Sequence, residues 1–163
     1  KPVVFSFMRI NLIQTGKTSE TFIGEGVEMF RKRIVHYVPF GIETVQDLKK
    51  RRSMTMKEVQ DAEGVLLLKR IREGDHVVLL DERGDEYTSI SFAEHLNSLQ
   101  GRINRLLFII GGAYGFSEDL YRRADTMMSL SRLTFSHQLV RLIFMEQLYR
   151  AFTILKGEPY HHH

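Results

Sequence analysis

The residues best suited to chemistry lie in the last third of the chain. An apolar run ending Phe108-Ile109-Ile110 passes into Gly111-Gly112-Ala113-Tyr114-Gly115-Phe116. Leu130-Ser131-Arg132-Leu133-Thr134-Phe135 follows, then Ser136-His137-Gln138 and the closing Gly157-Glu158-Pro159-Tyr160-His161. Glycine lets backbone approach a ligand closely, and open α/β sheets bind ligands at the carboxyl ends of their strands. A small-molecule pocket beside Arg, His and Tyr side chains is therefore expected here, while the rest of the chain reads as scaffold. By itself such a glycine turn is equally a plain strand-to-helix connection. The next helix opens with Ser117-Glu118-Asp119, whose carboxylates already complement its positive end and would repel a phosphate. No lysine follows the glycines, so this is not a Walker-type loop. A cofactor without phosphate fits better, and S-adenosylmethionine, with a cationic sulfonium and an adenosine that backbone can wrap, is the expected one.

His137 and Arg141 are i and i+4 and share a face at the start of the last helix. Read on pattern alone, they are a satisfied structural histidine and an arginine bound to a carboxylate or carbonyl. The catalytic reading is the less common one. Arg150 sits one turn beyond Glu146, where an ion pair accounts for it. Lys49-Lys50-Arg51-Arg52 reads as a solvated charged connection, with contact to a phosphate backbone as its functional alternative. His36, His76 and His95 have no metal-ligand spacing, so no metal is expected. No Gly-x-Ser-x-Gly, Cys-His or paired-carboxylate arrangement supports a hydrolase.

The elements that must position these residues alternate between strand and helix. Strands are predicted at 10–13, 41–45, 76–81, 106–110 and 127–130. Helices are predicted from Ser19 as cap, over about 56–71, from Ser91 as cap, from Ser117 as cap, and over 137–155. Glu82 to Asp85 is expected to be a loop. Strands separated by helices of this length imply βαβ units, hence an α/β fold with a mostly parallel sheet flanked by helices. In the last helix Phe144, Leu148, Ala151, Phe152 and Leu155 share one face, and Leu139 and Ile143 lie nearly opposite. A helix apolar on two sides must be covered twice, and a homodimer is the expected second cover.

At 163 residues with 43% hydrophobic and 26% charged content, the chain suits one globular domain rather than a disordered tail or a membrane protein. It has no cysteine, which excludes thiolate chemistry and suits a reducing, cytoplasmic compartment. A net charge of +3 permits a nucleic-acid partner without demanding one. Met8-Arg9-Ile10-Asn11-Leu12-Ile13 reads as a start entering the first strand. Residues 1–7 are then an extension with no assigned role, and 8–163 form the single domain.

Taken in order, Ile110 to Gly115, Leu130 to Phe135, Ser136-His137-Gln138-Leu139-Val140-Arg141, Glu146-Gln147-Leu148-Tyr149-Arg150-Ala151 and Pro159-Tyr160-His161 resemble one family. It is the bacterial large-subunit rRNA (pseudouridine-N3-)methyltransferase H family of the SPOUT superfamily. The similarity runs from Met8 onward and includes Thr15-Gly16-Lys17 and Leu79-Leu80-Asp81. It implies a C-terminal trefoil knot, a homodimer joined at the knots, and S-adenosylmethionine held in the knot. Contacts to the cofactor would come from Leu80, Gly111, Gly112 and the loop Leu130, Ser131, Arg132, Leu133, Thr134 and Phe135. The implied reaction is methylation of N3 of a pseudouridine in 23S rRNA on the assembled 70S ribosome. By the same resemblance His137 is a base or hydrogen-bond orienter, and Arg141 and Arg150 stabilise an anion or contact phosphate. Tyr160 and His161 position the nucleotide from the partner's tail. The chain departs from the family in having Ser136 where proline is common, and His162-His163 where the tail usually continues into Lys or Arg. Two other readings are a SPOUT methyltransferase acting on tRNA and a non-catalytic ribosome-binding module.

Overall fold

A computed structural model of the protein describes residues 8–162, so the extension expected over 1–7 lies outside the described residues. Five strands form one sheet: β1 (Arg9–Thr15), β2 (Phe40–Val45), β3 (His76–Glu86), β4 (Arg105–Ile110) and β5 (Thr126–Ser129). Their order is β2-β1-β4-β3-β5, and every named pair is parallel. The helices are α1 (Thr21–Ile34), α2 (Met56–Leu68), α3 (Ser89–Leu99), α4 (Glu118–Arg123) and α5 (Leu139–Leu155). The α/β fold with a parallel sheet is thus the one expected from the sequence.

Alternation along the strands builds the two faces. In β4, Leu106, Phe108 and Ile110 face α1, α3 and α5, while Leu107 and Ile109 face α2 and α4. A parallel sheet covered on both faces explains why this strand reads as a continuous apolar run. α1 and α5 pack closely because Gly26 leaves room: a Cβ there would stand 2.7 Å from Leu142.

Several boundaries differ from the sequence reading. Ser19 does not cap α1; its backbone N–H donates to Gln138 Oε1 at 2.9 Å, and Glu20 precedes the helix without a side-chain cap. Ser91 is the third residue of a capping box headed by Thr88. Ser117 does cap α4. α2 ends at Leu68, and α5 begins at Leu139, with Ser136 Oγ accepting the Leu139 N–H at 3.0 Å. His137 therefore sits in the turn before α5. The expected loop Glu82–Asp85 belongs to β3, which pairs with β5 a second time after an irregularity, Asp85 opposite Met128 and Glu86 opposite Ser129. Leu130 lies just beyond β5.

On α5, Phe144, Leu148, Ala151 and Phe152 are completely buried, as the spacing predicts. Leu139 on the other side is 37% exposed, and Phe22 of α1 is 63% exposed.

Candidate active site

The carboxyl ends of β3, β4 and β5 open onto a cleft of about 870 Å³. Leu80 comes from β3, Ile110 to Phe116 from the end of β4, and Ser129 to Ser131 from the end of β5. Leu133 to His137 and Val140 close the far wall, and Met56 and Gln60 of α2 reach the rim. Of the cofactor residues expected from the sequence, Leu80, Gly111, Gly112, Leu130, Ser131, Leu133, Thr134 and Phe135 all line this one cleft. Arg132 does not: its side chain is 89% exposed and pairs with Glu86 at 3.1 Å.

The glycine turn is shaped by local chemistry. Gly115 has φ +78°, a left-handed conformation that a side chain would strain, and its N–H donates to Gly112 O at 3.2 Å. Gly112 packs on the side chain of Glu63, so that a Cβ there would lie 2.6 Å from Glu63 Oε2. Gly111 packs on the Phe116 ring in the same manner, at 3.0 Å. The turn is held to α2 by Gln60, whose Nε2 donates to Tyr114 O at 2.5 Å. Arg51 lies 5.2 Å from the centre of the Tyr114 ring.

Glu63 is 3% exposed and makes no hydrogen bond or ion pair among the described residues. Burial raises its pKa, only partly offset by the nearby Arg51. It occupies the stripe Val59–Glu63–Leu67, one turn apart on the buried face of α2. A carboxylate interrupting an apolar stripe was a visible signal that the sequence reading missed. It also missed Gln60 and Tyr121, and gave Tyr114 no role beyond its place in the glycine turn. Tyr121 donates to Asp81, which is held below the ordinary carboxylate range: burial pushes it up, but bonds from Arg83 and Tyr121 outweigh that.

His137 lines the cleft. Its pKa is lowered by burial first, then by the positive charges of Arg141 and Arg51, so the ring is neutral at pH 7 and able to accept a proton. Arg141 is placed differently from the expected anion contact. It is completely buried, and its guanidinium donates to His137 O at 3.1 Å, Gly16 O at 2.9 Å, Thr18 Oγ1 at 2.9 Å and Thr15 O at 2.7 Å. Arg141 therefore ties the end of β1 to the turn carrying His137, the carbonyl-bound role of the bland sequence reading.

Arg150, Tyr160 and His161 form a second group away from the cleft. Arg150 pairs with Glu146 at 2.5 Å, lies 4.7 Å from the Tyr160 ring centre, and contacts His161 Nδ1 at 3.2 Å. Tyr160 donates to Glu146 Oε1 at 3.0 Å. Ten residues of helix separate Val140 at the cleft from Arg150, a rise of about 15 Å. Within one chain these residues are not brought together with His137.

The cleft suits a cationic, phosphate-free ligand. Its walls combine backbone and apolar side chains with neutral polar groups such as Ser129, Ser131, Thr134 and Tyr121. Asp81 and Glu82 also line it, and its arginine, Arg83, is already paired with Asp81. Among the described residues no group of His, Cys, Asp or Glu could hold a metal ion, and no helix is long and apolar enough to cross a membrane.

Comparison with known proteins agrees with this geometry. Residues 8–161 match the family model described as predicted SPOUT methyltransferase. The chain is 46% identical to the ribosomal RNA large subunit methyltransferase H of Parabacteroides distasonis, over 95% of this chain and 99% of that one. It is 47% identical to the protein of the same name from Christiangramia forsetii over the same shares. Among solved structures, a probable methylase family protein from Haemophilus influenzae Rd KW20 matches with a TM-score of 0.55 and 11% identity. That match covers 98% of this chain and 72% of the other, and it shows the fold alone. The chain belongs to the SPOUT methyltransferase family, among the large-subunit ribosomal RNA methyltransferases H.

Proposed function

We propose that the protein methylates N3 of a pseudouridine in 23S rRNA, using S-adenosylmethionine, on the assembled 70S ribosome in the cytoplasm. The observation that carries this reading is the single cleft in which eight of the nine expected cofactor residues meet, with His137 on its wall. Leu80, Gly111, Gly112 and the loop 130–135 would hold the cofactor. When bound, it supplies an electrophilic methyl group on a positively charged sulfur. The chain's own task is to orient the base and remove the N3 proton. His137 is the group for this: its lowered pKa leaves a nitrogen lone pair free near neutrality. Arg141 is a positioning residue that fixes the His137 turn through its carbonyl. The backbone of residues 129–135 and 111–115 encloses the ligand, and the half-buried Phe135 and Val140 exclude water.

The group Arg150, Tyr160 and His161 serves the cleft of a second copy. Its distance from His137 along α5 and the open apolar side chains Phe22 and Leu139 support a homodimer in which each tail completes the other subunit's site. The knot common to the family is proposed for the segment from β4 to α5.

The test uses ribosomes from a strain lacking the endogenous enzyme, methyl-labelled S-adenosylmethionine and mass spectrometry of the modified nucleoside. Label on N3 of a large-subunit pseudouridine is the expected result. Label on tRNA instead assigns another substrate, and cofactor binding without label on any RNA leaves a binding module.

A further inference from the structure

The basic connection after β2 contributes no residue to the lining of the cleft, yet the fold brings its Arg51 against Tyr114 of that lining. Lys49, Lys50 and Arg52 are exposed, and Arg51 occupies a short 3-10 turn with Arg52 and Ser53. Among the described residues none of these four cations pairs with a carboxylate, although nine ion pairs form elsewhere. A fifth cation, the exposed Lys17, lies next to Gly16, against which Asp47 of the same connection sits: a Cβ at Gly16 would be 2.6 Å from its Oδ1. Asp47 and Glu63, whose carboxyl feels Arg51, are two acids against five cations, which leaves a surplus of positive charge here.

Arg51 links this connection to the cleft. Its guanidinium lies on the ring of Tyr114, which lines the cleft and remains 38% exposed, and its charge is felt by His137. An exposed ring set between a cation cluster and a reaction site is the combination that binds nucleic acid, bases on the aromatic and phosphates on the cations. An acidic protein surface would need the cations but not the ring.

We propose that Lys49, Lys50 and Arg52, with Lys17, clamp the RNA phosphate backbone beside the target nucleotide, and that Tyr114, backed by Arg51, is the platform for a neighbouring base. This rests on the reading that RNA is the substrate. It adds where the strand enters the site.

The test measures binding of the full-length protein to 70S ribosomes across a KCl series, with S-adenosylmethionine affinity followed separately by calorimetry. For K49A/K50A/R52A, loss of three phosphate contacts is expected to flatten the slope of log K against log salt by about 2 to 3. Affinity is expected to fall by about tenfold or more at low salt, with cofactor affinity unchanged. The charge-preserving K49R/K50R/R52K keeps wild-type affinity and slope. Tyr114→Ala weakens binding about tenfold with the slope unchanged, and Tyr114→Phe does not. The clamp is overturned by a wild-type slope in the alanine variant, or by equal losses in the charge-preserving one. Failure of the wild-type protein to methylate any RNA, with its salt-dependent binding intact, would instead remove the methyltransferase reading and leave the clamp standing.

Discussion

His137, in the turn before α5, and Arg141, in the first turn of α5, are four residues apart, yet burial assigns them opposite tasks. His137 has its pKa lowered by burial and by two arginines, so it loses the ability to accept a proton only below its ordinary value of 6.5. We expect kcat/KM for methylation to stay level from pH 8 down to 6.5 and then fall, with the acid limb absent in His137→Gln at its much lower rate. A level rate through pH 5 would remove His137 as the base. The same shift makes the unfolded chain bind more protons than the folded one just below pH 6.5, so stability falls as pH drops through that window. Arg141 acts on structure. Arg141→Met leaves the carbonyls of Thr15, Gly16 and His137 without donors, each costing about 1–3 kcal/mol. Thermal unfolding is expected to show a loss of about 3 kcal/mol or more, and an unchanged Tm would contradict the role assigned to it.

Among the elements, α2 and β3 carry the features that the sequence reading did not anticipate. Periodicity read the strands and helices correctly because the sheet is buried on both faces and each helix has a core stripe. It read Glu82–Asp85 as a loop because charge and glycine normally end a strand. The second pairing with β5 overrides that local preference, and only glycine fits at position 84, because a Cβ there would collide with the backbone of Met127 and Met128. Gly84→Ala is therefore expected to separate β3 from β5 and to weaken S-adenosylmethionine binding, since β5 delivers the loop 130–135; calorimetry checks this. The cleft residues were legible as motifs. Arg141 was legible as an arginine bound to a carboxylate or carbonyl, but the carbonyls of Thr15 and Gly16 were not identifiable, because they lie more than a hundred positions away, where no local spacing reveals them. Glu63 on α2 has a raised pKa, so the folded state retains its proton above the usual value of 4.5 and loses stability as pH rises through that range. Glu63→Gln should gain on the wild type in urea unfolding at pH 8 and lose that advantage near pH 4.

At the scale of the whole molecule, the separation of His137 from Arg150, Tyr160 and His161 makes a definite demand on assembly. If each cleft is completed by the partner's tail, mixing His137→Ala and Tyr160→Ala subunits creates heterodimers with one intact site. Random assembly then restores about a quarter of wild-type activity, from inactive parents, because half the dimers are mixed and each has one working site of two. No recovery on mixing would place the tail and cleft in one chain. Phe22→Glu with Leu139→Glu is expected to yield inactive monomers by light scattering, since both side chains are open in the single chain.

The hold of α5 on the end of β1 also bears on how the protein is made. Gln138 accepts from Ser19 N–H and donates to Lys17 O, and Arg141 binds Thr15 and Gly16, so the last helix fastens the first loop. During synthesis that first loop leaves the exit tunnel long before α5 exists to secure it. Every strand pairing is parallel and must also await a distant segment, which slows folding. The nascent chain thus lacks a finished cleft until α5 has been made and has docked.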